Sequence, residues 1–136
     1  SVWQGTSMSK RVLIVDDEAS IRAVLRRMLE GEGYEVHTDS RTGPAFEKFK
    51  LVKPFLVLCD LRLENHVDGA TLAGMIRRND PFAILICVTG ELSSFDKGYL
   101  LGSGIFTDIL LKPVEIALLR RVAKYALNKY ERWKSY

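Results

Sequence analysis

The chain has 136 residues, of which 47% are hydrophobic and 27% charged, a composition that fits one globular domain and leaves little room for a second. Its 20 basic and 17 acidic residues give a net charge of +3, which is too small to make nucleic acid the expected ligand. Two cysteines, each inside an apolar run, exclude a zinc finger or a disulfide scaffold and predict buried free thiols at Cys59 and Cys87.

The hydrophobic pattern then switches repeatedly between short apolar runs and helical spacing, which is typical of strands and helices alternating around a parallel sheet. Residues 12–15 predict a strand that is buried on both faces. Residues 34–38 predict a second strand, and residues 42–50 predict a helix with Pro44 in its first turn. Between these two strands, the apolar residues at helical spacing predict one buried helix face, formed by Ile21, Val24, Leu25, Met28 and Leu29.

The second half of the chain continues the same alternation. Residues 55–59 and 84–88 predict the third and fourth strands, and residues 94–101 predict a helix of weak propensity. The helix between these two strands is indicated by an apolar stripe at Leu72, Met75 and Ile76. Residues 109–111 predict the fifth strand. The last helix is predicted from Val114 onward, and its expected core-facing residues are Leu118, Leu119, Val122 and Tyr125.

The ends of the chain lead to separate expectations. Residues 1–7 are expected to be a remnant of recombinant expression, and residues 8–127 to form the domain. Residues 128–136 continue a basic helical run, either as an extension of the last helix or as a truncated linker toward an output domain or a dimer partner. Because the sequence shows no signal-peptide pattern and no run of about 18 apolar residues, we expect a cytoplasmic protein without membrane contact.

Polar residues directly follow four of the five predicted strands. The acidic group of residues 16–18 follows the first strand, Asp60 the third, Thr89 the fourth and Lys112 the fifth. Each has an ordinary explanation, since acidic residues cap helices, Thr-Gly forms turns and Lys-Pro precedes helices. Their joint occurrence is more informative, because the carboxyl ends of parallel strands meet at one edge of a sheet, where ligands bind.

The charges of these residues indicate a ligand. If Asp16, Asp17 and Asp60 converge, each pair of carboxylates about 4 Å apart costs on the order of 4 kcal/mol at an effective dielectric constant near 20. Lys112 offsets only part of this, and three carboxylates with one ammonium sum to −2. Oxygen ligands without His or Cys favour a hard cation such as Mg²⁺. A carboxylate nucleophile beside a hard metal, a hydroxyl and a lysine suits phosphoryl transfer to an aspartate.

With these motifs in place, residues 10–127 resemble the receiver domain of two-component response regulators, and specifically the single-domain chemotaxis type. The resemblance depends on four motifs in family order: VDDE at 15–18, LCD at 58–60, VTG at 88–90 and LLKP at 110–113. It implies an α/β, flavodoxin-like fold, with a doubly wound five-stranded parallel sheet of order 2-1-3-4-5 and five helices.

The resemblance also implies a role for each matching residue. Asp60 is expected to accept a phosphoryl group from a phosphohistidine of a sensor histidine kinase or a histidine phosphotransfer protein. Thr89 and Lys112 are expected to contact the phosphoryl oxygens, and Pro113 to follow a cis peptide bond. The expected Mg²⁺ ligands are three carboxylates and one backbone carbonyl, those of Asp16, Asp17, Asp60 and Arg62.

The same resemblance implies a phosphoprotein that signals and is not classed as an enzyme, although it catalyses its own phosphorylation and dephosphorylation. Phosphorylation is expected to change the face between the fourth strand and the fifth helix. Expected partners are the phosphodonor, a downstream effector domain or protein and a second copy in a homodimer, with no direct contact to nucleic acid.

Three departures from the family pattern bear on these expectations. The loop of residues 60–69 lacks the usual proline and is one residue longer, which affects how the Arg62 carbonyl is presented. Ile109 stands where the family usually has a switching aromatic residue, for which Phe106 or Tyr99 could substitute. Arg62 and Glu91, each two residues after a site residue, are expected to flank the phosphoryl pocket either as a charge pair that slows dephosphorylation or as unconnected surface charges.

Two other classes of protein share part of this pattern. An aspartate-nucleophile phosphatase also uses Asp, Thr and Lys around Mg²⁺, but it needs a second Asp two residues beyond the nucleophile, where this chain has Arg62. A pseudo-receiver that acts only as a protein-interaction module is disfavoured by the complete set of site residues and stays open because of the altered loop.

Overall fold

A computed structural model describes residues 10–63, 68–90 and 94–134, and in it five parallel strands form one sheet in the order β2-β1-β3-β4-β5. The strands are β1 (Arg11–Val15), β2 (Glu35–Asp39), β3 (Leu56–Cys59), β4 (Ile84–Thr89) and β5 (Asp108–Leu111). The helices are α1 (Ala19–Glu30), α2 (Thr42–Val52), α3 (Asp68–Asn79), α4 (Ser94–Gly102) and α5 (Ile116–Lys134). The fold class, the number of elements and the strand order are therefore as predicted.

The three central strands are the most apolar segments, because helices cover both of their faces. All residues of β3 and β4 are buried, whereas the edge strands β2 and β5 are buried only in part. Alternate residues of β1 face the two layers, as the two-residue period of a strand requires. Val12 and Ile14 pack in the cluster that includes residues of α1 and α5, and Leu13 and Val15 in the cluster that includes residues of α2 and α3.

The buried stripes of α1 and α5 are narrower than their apolar pattern suggests. Val24 of α1 is 47% exposed, and Leu118 and Tyr125 of α5 are 38% and 66% exposed, so their predicted places in the core were wrong. The residues of α5 that are buried share one face and are Leu119, Ala123, Ala126 and Tyr130. Two of these are alanines, which add little to a hydrophobic pattern but allow a helix to approach the sheet closely.

Residues 128–134 continue α5 without a break. Tyr130 is 8% exposed and its ring centroid lies 6.2 Å from that of Phe55, which precedes β3. Trp133 packs against Phe82 with 6.1 Å between ring centroids. This part of the last helix is therefore packed onto the same core as the central strands.

The two cysteines are free and buried, as predicted. Cys59 and Cys87 are neighbours in the register of β3 and β4. Burial raises the pKa of the Cys87 thiol to about 12 and the pKa of the Cys59 thiol well above its usual value. Both thiols are thus protonated at neutral pH and behave as apolar core groups. Among the described helices, none combines the length and the apolar character that crossing a membrane requires.

Candidate functional site

The buried polar residues of this protein gather at one edge of the sheet. Within the described part of the chain, only Asp16, Asp60 and Thr89 are polar or charged and buried, with 2%, 6% and 3% of their surfaces exposed. Asp16 and Asp60 directly follow β1 and β3, and Thr89 ends β4. Because buried polar groups are costly unless they are paired, their concentration at the carboxyl edge marks it as the candidate site.

Hydrogen bonds of the sheet continue past the strand ends and hold the backbone of the site. The backbone N–H of Asp60 donates to Val15 O at 2.9 Å, and that of Lys112 donates to Thr89 O at 2.9 Å. On the other side of β1, the N–H of Asp16 donates to Asp39 O at 3.1 Å. The first residue after each of these strands is thus positioned by its neighbouring strand and not by a free loop.

Lys112 joins the carboxylates that follow two different strands. Its Nζ lies 2.8 Å from Asp16 Oδ2 and 2.9 Å from Asp60 Oδ2, and 3.8 Å from Glu18 Oε1. The Lys112 side chain is 14% exposed, and the peptide bond to Pro113 is cis, as predicted. One ammonium therefore neutralises part of the charge of two buried carboxylates.

The acceptor candidate Asp60 is held at both carboxylate oxygens. Oδ2 accepts a hydrogen bond from Lys112 Nζ, and Oδ1 accepts one from the backbone N–H of Arg62 at 3.1 Å. Burial raises the pKa of the Asp60 carboxyl and the charge of Asp16 adds to this, while the hydrogen bonds from Lys112 and Arg62 reduce the rise without cancelling it.

The pKa of the Lys112 ammonium follows from the same contacts. Burial alone lowers this pKa, but the neighbouring carboxylates of Asp16 and Asp60 outweigh burial, so that the net pKa is raised. Lys112 is consequently a fixed positive charge over the pH range in which proteins function.

A turn after β1 brings three acidic side chains together. Asp16 Oδ1 accepts a hydrogen bond from the backbone N–H of Glu18 at 2.9 Å. Carboxylate oxygens of Asp16, Asp17 and Glu18 lie within 4.8 Å of one another, with Asp17 and Glu18 exposed. Asp16 Oδ2 is buried and accepts no well-directed hydrogen bond from the described residues, although Lys112 is near it. A set of carboxylate oxygens whose charge one ammonium neutralises only in part fits a hard divalent cation.

The first turn of α3 packs directly against the backbone of Asp60. A Cβ atom placed on Gly69 would lie 2.0 Å from Asp60 O and 2.7 Å from Leu61 O, so that no side chain fits there. The Cys59 thiol contacts the same region, with Sγ 3.4 Å from Asp60 O and 3.7 Å from Gly69 O. The backbone of Asp60 is thereby enclosed from the side of α3.

The structure brings most of the sequence-predicted site residues together. Asp16, Asp60 and Lys112 are in contact, and Thr89 is buried at the same edge. Asp17 belongs to the acidic turn and not to the Lys112 contacts. The backbone N–H of Arg62 contacts Asp60, whereas a role for its carbonyl stays a prediction.

Other expectations concern the surroundings of the site. Glu91 and residues 64–67 of the altered loop lie outside the described residues, so that the pairing of Arg62 with Glu91 stays a prediction. Ile109 is partly buried against the core. Of its two suggested substitutes, Phe106 is buried and Tyr99 is 70% exposed.

Sequence reasoning missed three contributors to the site. Glu18 completes the acidic turn, Gly69 contacts the backbone of Asp60 and Arg22 hydrogen-bonds to Asp16. The position of Glu18 next to two aspartates was a signal in the sequence. No local pattern indicates the partners of Gly69 or Arg22, because Asp60 lies nine residues before Gly69 and Asp16 lies six residues before Arg22, each across a turn.

The fold and the site together define a class of protein, a doubly wound α/β domain with a carboxylate and lysine pocket at the carboxyl edge of its sheet. Comparison with known proteins identifies the class more closely. The chain belongs to the response regulator receiver domain family, whose sequence model matches residues 12–124. It is accordingly a receiver domain of the two-component type, a class of phosphoacceptor signalling domains.

Two curated relatives show the range of the family. The chain is 34% identical over 125 residues to the chemotaxis protein CheY of Thermotoga maritima, covering 90% of this chain and 98% of CheY. It is 33% identical over 121 residues to the alkaline phosphatase synthesis transcriptional regulatory protein PhoP of Bacillus subtilis, covering 84% of this chain. The matched region spans about half the length of PhoP, 50%, and nearly all of CheY.

Solved structures agree with this assignment. A CheY-like response regulator receiver domain protein from Methanospirillum hungatei superposes with a TM-score of 0.83 at 29% identity, covering 91% of this chain and 98% of that one. The signal receiver domain of a LuxO repressor protein from Vibrio parahaemolyticus has a TM-score of 0.84 at 24% identity, covering 93% and 95%, and shows the same fold.

Proposed function

We propose that this domain receives a phosphoryl group on Asp60 from a phosphohistidine of a sensor histidine kinase or a histidine phosphotransfer protein, in a reaction that depends on Mg²⁺. The observation that carries the proposal is the position of Lys112 Nζ, within 3 Å of the carboxylates of both Asp16 and Asp60. A buried carboxylate with a fixed cation beside it is suited to be the nucleophile of a phosphoryl transfer, in which positioning and charge neutralisation provide most of the rate.

The transfer itself exchanges one bond to phosphorus for another. A carboxylate oxygen of Asp60 forms the new P–O bond while the P–N bond to the histidine breaks, and the imidazole leaves with the electron pair of that bond. The product is an aspartyl phosphate on Asp60. The burial of the Asp60 side chain limits the access of water to the acceptor carboxylate, and the hydrogen bond from the Arg62 N–H holds one of its oxygens in place.

The other residues of the site act on charge and orientation. Asp16, Asp17 and Asp60, with the Arg62 carbonyl, are the proposed Mg²⁺ ligands, and Glu18 lies close enough to Asp16 and Asp17 to contribute. Bound Mg²⁺ would neutralise carboxylates and phosphoryl oxygens. Lys112 would pair with one phosphoryl oxygen, and the Thr89 hydroxyl would donate a hydrogen bond to another.

The proposed consequence is a change of packing on the face between β4 and α5. A phosphoryl group that contacts Thr89 and Lys112 stabilises one of two packing arrangements of this face more than the other. A difference of about 5.5 kcal/mol in stabilisation shifts the population of the favoured arrangement from 1:99 to 99:1. Because Ile109 stands in place of an aromatic residue, the main change of packing on phosphorylation is proposed to occur at Thr89 and α4. The partly buried position of Ile109 against the core supports this, since a branched apolar side chain there has no ring to rotate.

The wider setting is also part of the proposal. We infer a cytoplasmic phosphorelay protein, which is substrate and switch and not an enzyme in the usual sense. Its output is an effector domain, a downstream protein or a homodimer, as the name of PhoP as a transcriptional regulatory protein and that of CheY as a chemotaxis protein suggest for those relatives.

Intact-mass spectrometry after incubation with acetyl phosphate and Mg²⁺ tests the acceptor chemistry. The unaltered chain should gain the mass of one phosphoryl group, and EDTA should prevent the gain. Asp60→Asn should gain none, while Asp108→Asn, an exposed aspartate in β5, should behave as the unaltered chain. If the unaltered chain gains no phosphoryl group in the presence of Mg²⁺, the proposal is wrong and the domain is a pseudo-receiver that acts by protein interaction alone.

A further inference from the structure

We propose that Arg22 is a positioning residue for the acidic turn, which it holds in the shape that binds the divalent cation. This inference rests on the proposed function, because it concerns how the Mg²⁺ ligands are arranged. Arg22 lies in the first turns of α1 and is half-buried. Its Nη1 donates a hydrogen bond to the backbone carbonyl of Asp16 at 2.6 Å.

The contact matters because of where that carbonyl lies. The peptide group that contains Asp16 O leads directly into Asp17 and Glu18, so that its orientation determines where the next two carboxylates point. A charged donor at 2.6 Å makes a strong hydrogen bond to this carbonyl. The position of Arg22 is itself fixed, because its backbone N–H donates to Glu18 O at 3.1 Å at the start of α1.

With this bond, Asp16 is held on every side. Its N–H donates to Asp39 O, its carbonyl accepts from Arg22, Oδ1 accepts from the N–H of Glu18 and Oδ2 lies beside Lys112. Arg22 is the single side chain in this set that acts on the backbone of Asp16, and it comes from a helix that otherwise contributes nothing to the pocket among the described contacts. Removing it frees the peptide group between two proposed metal ligands.

The two effects of Arg22 on a bound cation have opposite signs, which makes the proposal testable. As a positive charge near the acidic turn, Arg22 repels a divalent cation, and its removal would strengthen binding. As a positioning residue, Arg22 keeps the ligands converged, and its removal would weaken binding, typically by 10-fold or more for groups that orient metal ligands. We expect the second effect to be larger.

Arg26 provides a matched control on the same helix. It also donates to a backbone carbonyl, Val36 O at 3.0 Å, and pairs with Glu30 at 3.4 Å. It therefore ties α1 to β2 in the way that Arg22 ties α1 to the turn after β1, but it contacts no residue of the acidic turn. A substitution of Arg26 reproduces the loss of a helix-to-backbone bond without touching the proposed site.

The experiment measures Mn²⁺ binding to the unphosphorylated full chain by electron paramagnetic resonance, and Mg²⁺ binding by competition. Arg22→Ala should bind Mn²⁺ roughly 10-fold more weakly than the unaltered chain, and Arg22→Lys should show a smaller loss because the charge remains while the reach and the planar fork are lost. Arg26→Ala should bind within about twofold of the unaltered chain. Circular dichroism melting shows which variants fold, and if Arg22→Ala does not, the comparison of Arg22→Lys with the unaltered chain decides.

The outcomes separate this inference from the proposed function. If Arg22→Ala folds and binds Mn²⁺ at least as tightly as the unaltered chain, Arg22 does not position the ligands and the inference is overturned. If Arg22→Ala does not fold, the same result for Arg22→Lys overturns the inference. If Arg26→Ala loses as much affinity as Arg22→Ala, the effect belongs to α1 in general and the inference is equally wrong. If the unaltered chain binds neither cation, the proposed Mg²⁺ dependence itself fails.

Discussion

Lys112 and Arg77 are cations held at opposite edges of the sheet, and they differ in what holds them. At the carboxyl edge, Lys112 contacts the carboxyl groups of Asp16 and Asp60. At the amino edge, the Arg77 guanidinium donates to the backbone carbonyls that precede β4 and β5, which are Pro81 O at 2.9 Å, Ala83 O at 2.7 Å and Ile105 O at 2.7 Å.

The nature of the partners determines what each edge can do. Burial lowers the pKa of Arg77, whose nearby acid Asp80 compensates only in part, whereas the carboxylates beside Lys112 raise its pKa overall. Neutral carbonyls in fixed loops make Arg77 a structural link between α3, β4 and the segment before β5. Carboxylates in excess over one ammonium leave net negative charge at the other edge, which favours the binding of a cation.

Helix α3 connects the two edges, and the largest expected effect is at its first turn. Gly69→Ala places a methyl group 2.0 Å from Asp60 O, so the helix or the backbone of Asp60 must move. We expect the free energy of unfolding to fall by about 3 kcal/mol, measured by urea denaturation.

A second glycine of α3 serves as the control for this substitution. At Gly74 the nearest atom to an added Cβ is Arg78 Nη1 at 3.7 Å, an ordinary contact. Gly74→Ala should therefore stabilise the protein by up to about 1 kcal/mol through helix propensity. Equal effects at the two positions would contradict the close approach of α3 to the backbone of Asp60.

The next effect concerns the amino edge. Arg77→Met removes the donor to three carbonyls while keeping much of the apolar stem, and we expect a loss of about 2 to 3 kcal/mol in the free energy of unfolding. Arg78→Met changes the exposed neighbour of Arg77 and should stay within about 0.5 kcal/mol of the unaltered chain. A loss in both variants would show that charge on α3 matters and the carbonyl contacts do not.

The corresponding substitution at the carboxyl edge should cause a loss of stability that Mg²⁺ partly restores. Lys112→Met leaves Asp16 and Asp60 without their shared cation, and we expect a loss of about 2 kcal/mol, less than for a fully buried pair because the Lys112 side chain is partly exposed. If the pocket binds Mg²⁺ as proposed, millimolar Mg²⁺ should restore part of this loss. Mg²⁺ should not raise the free energy of unfolding of Arg77→Met. If Mg²⁺ stabilised both variants equally, the carboxyl edge would not differ from the amino edge in binding a cation.

The smallest effect is a pH dependence near the amino edge. Burial, with the charge of Asp80, raises the pKa of Tyr130 from 10.0 to about 12. Because the folded state holds this proton more tightly than the unfolded state, the contribution of Tyr130 to stability is complete below pH 10 and is lost as the pH rises toward 12.

Tyr130→Phe isolates this contribution from the other groups that titrate at high pH, Lys112 among them. The difference in unfolding free energy between the unaltered chain and Tyr130→Phe should shrink by about 1 kcal/mol between pH 9 and pH 11, as measured by urea denaturation at each pH. A difference that stays constant over this range would mean that the Tyr130 hydroxyl titrates normally.

Much of the carboxyl edge could be predicted from the sequence, and little of the amino edge. Asp16, Asp60, Thr89 and Lys112 each follow or end an apolar run, and the parallel arrangement of strands alone brings such positions to one edge. Arg77 carries no such signal, since an arginine near the end of a helix is usually a solvated residue. Its partners were decided by how two loops pack beside α3.

The sequence by itself determined the alternation of strands and helices and the polar residues at the strand ends, because apolar periods and strand-end polar groups are local properties of the chain. Only the tertiary structure decided that Lys112 lies between two carboxylates, that Gly69 meets the backbone of Asp60 and that Arg22 donates to the Asp16 carbonyl. These contacts join residues from separate elements, and their distances depend on how helices and turns pack against the sheet, which no local pattern encodes.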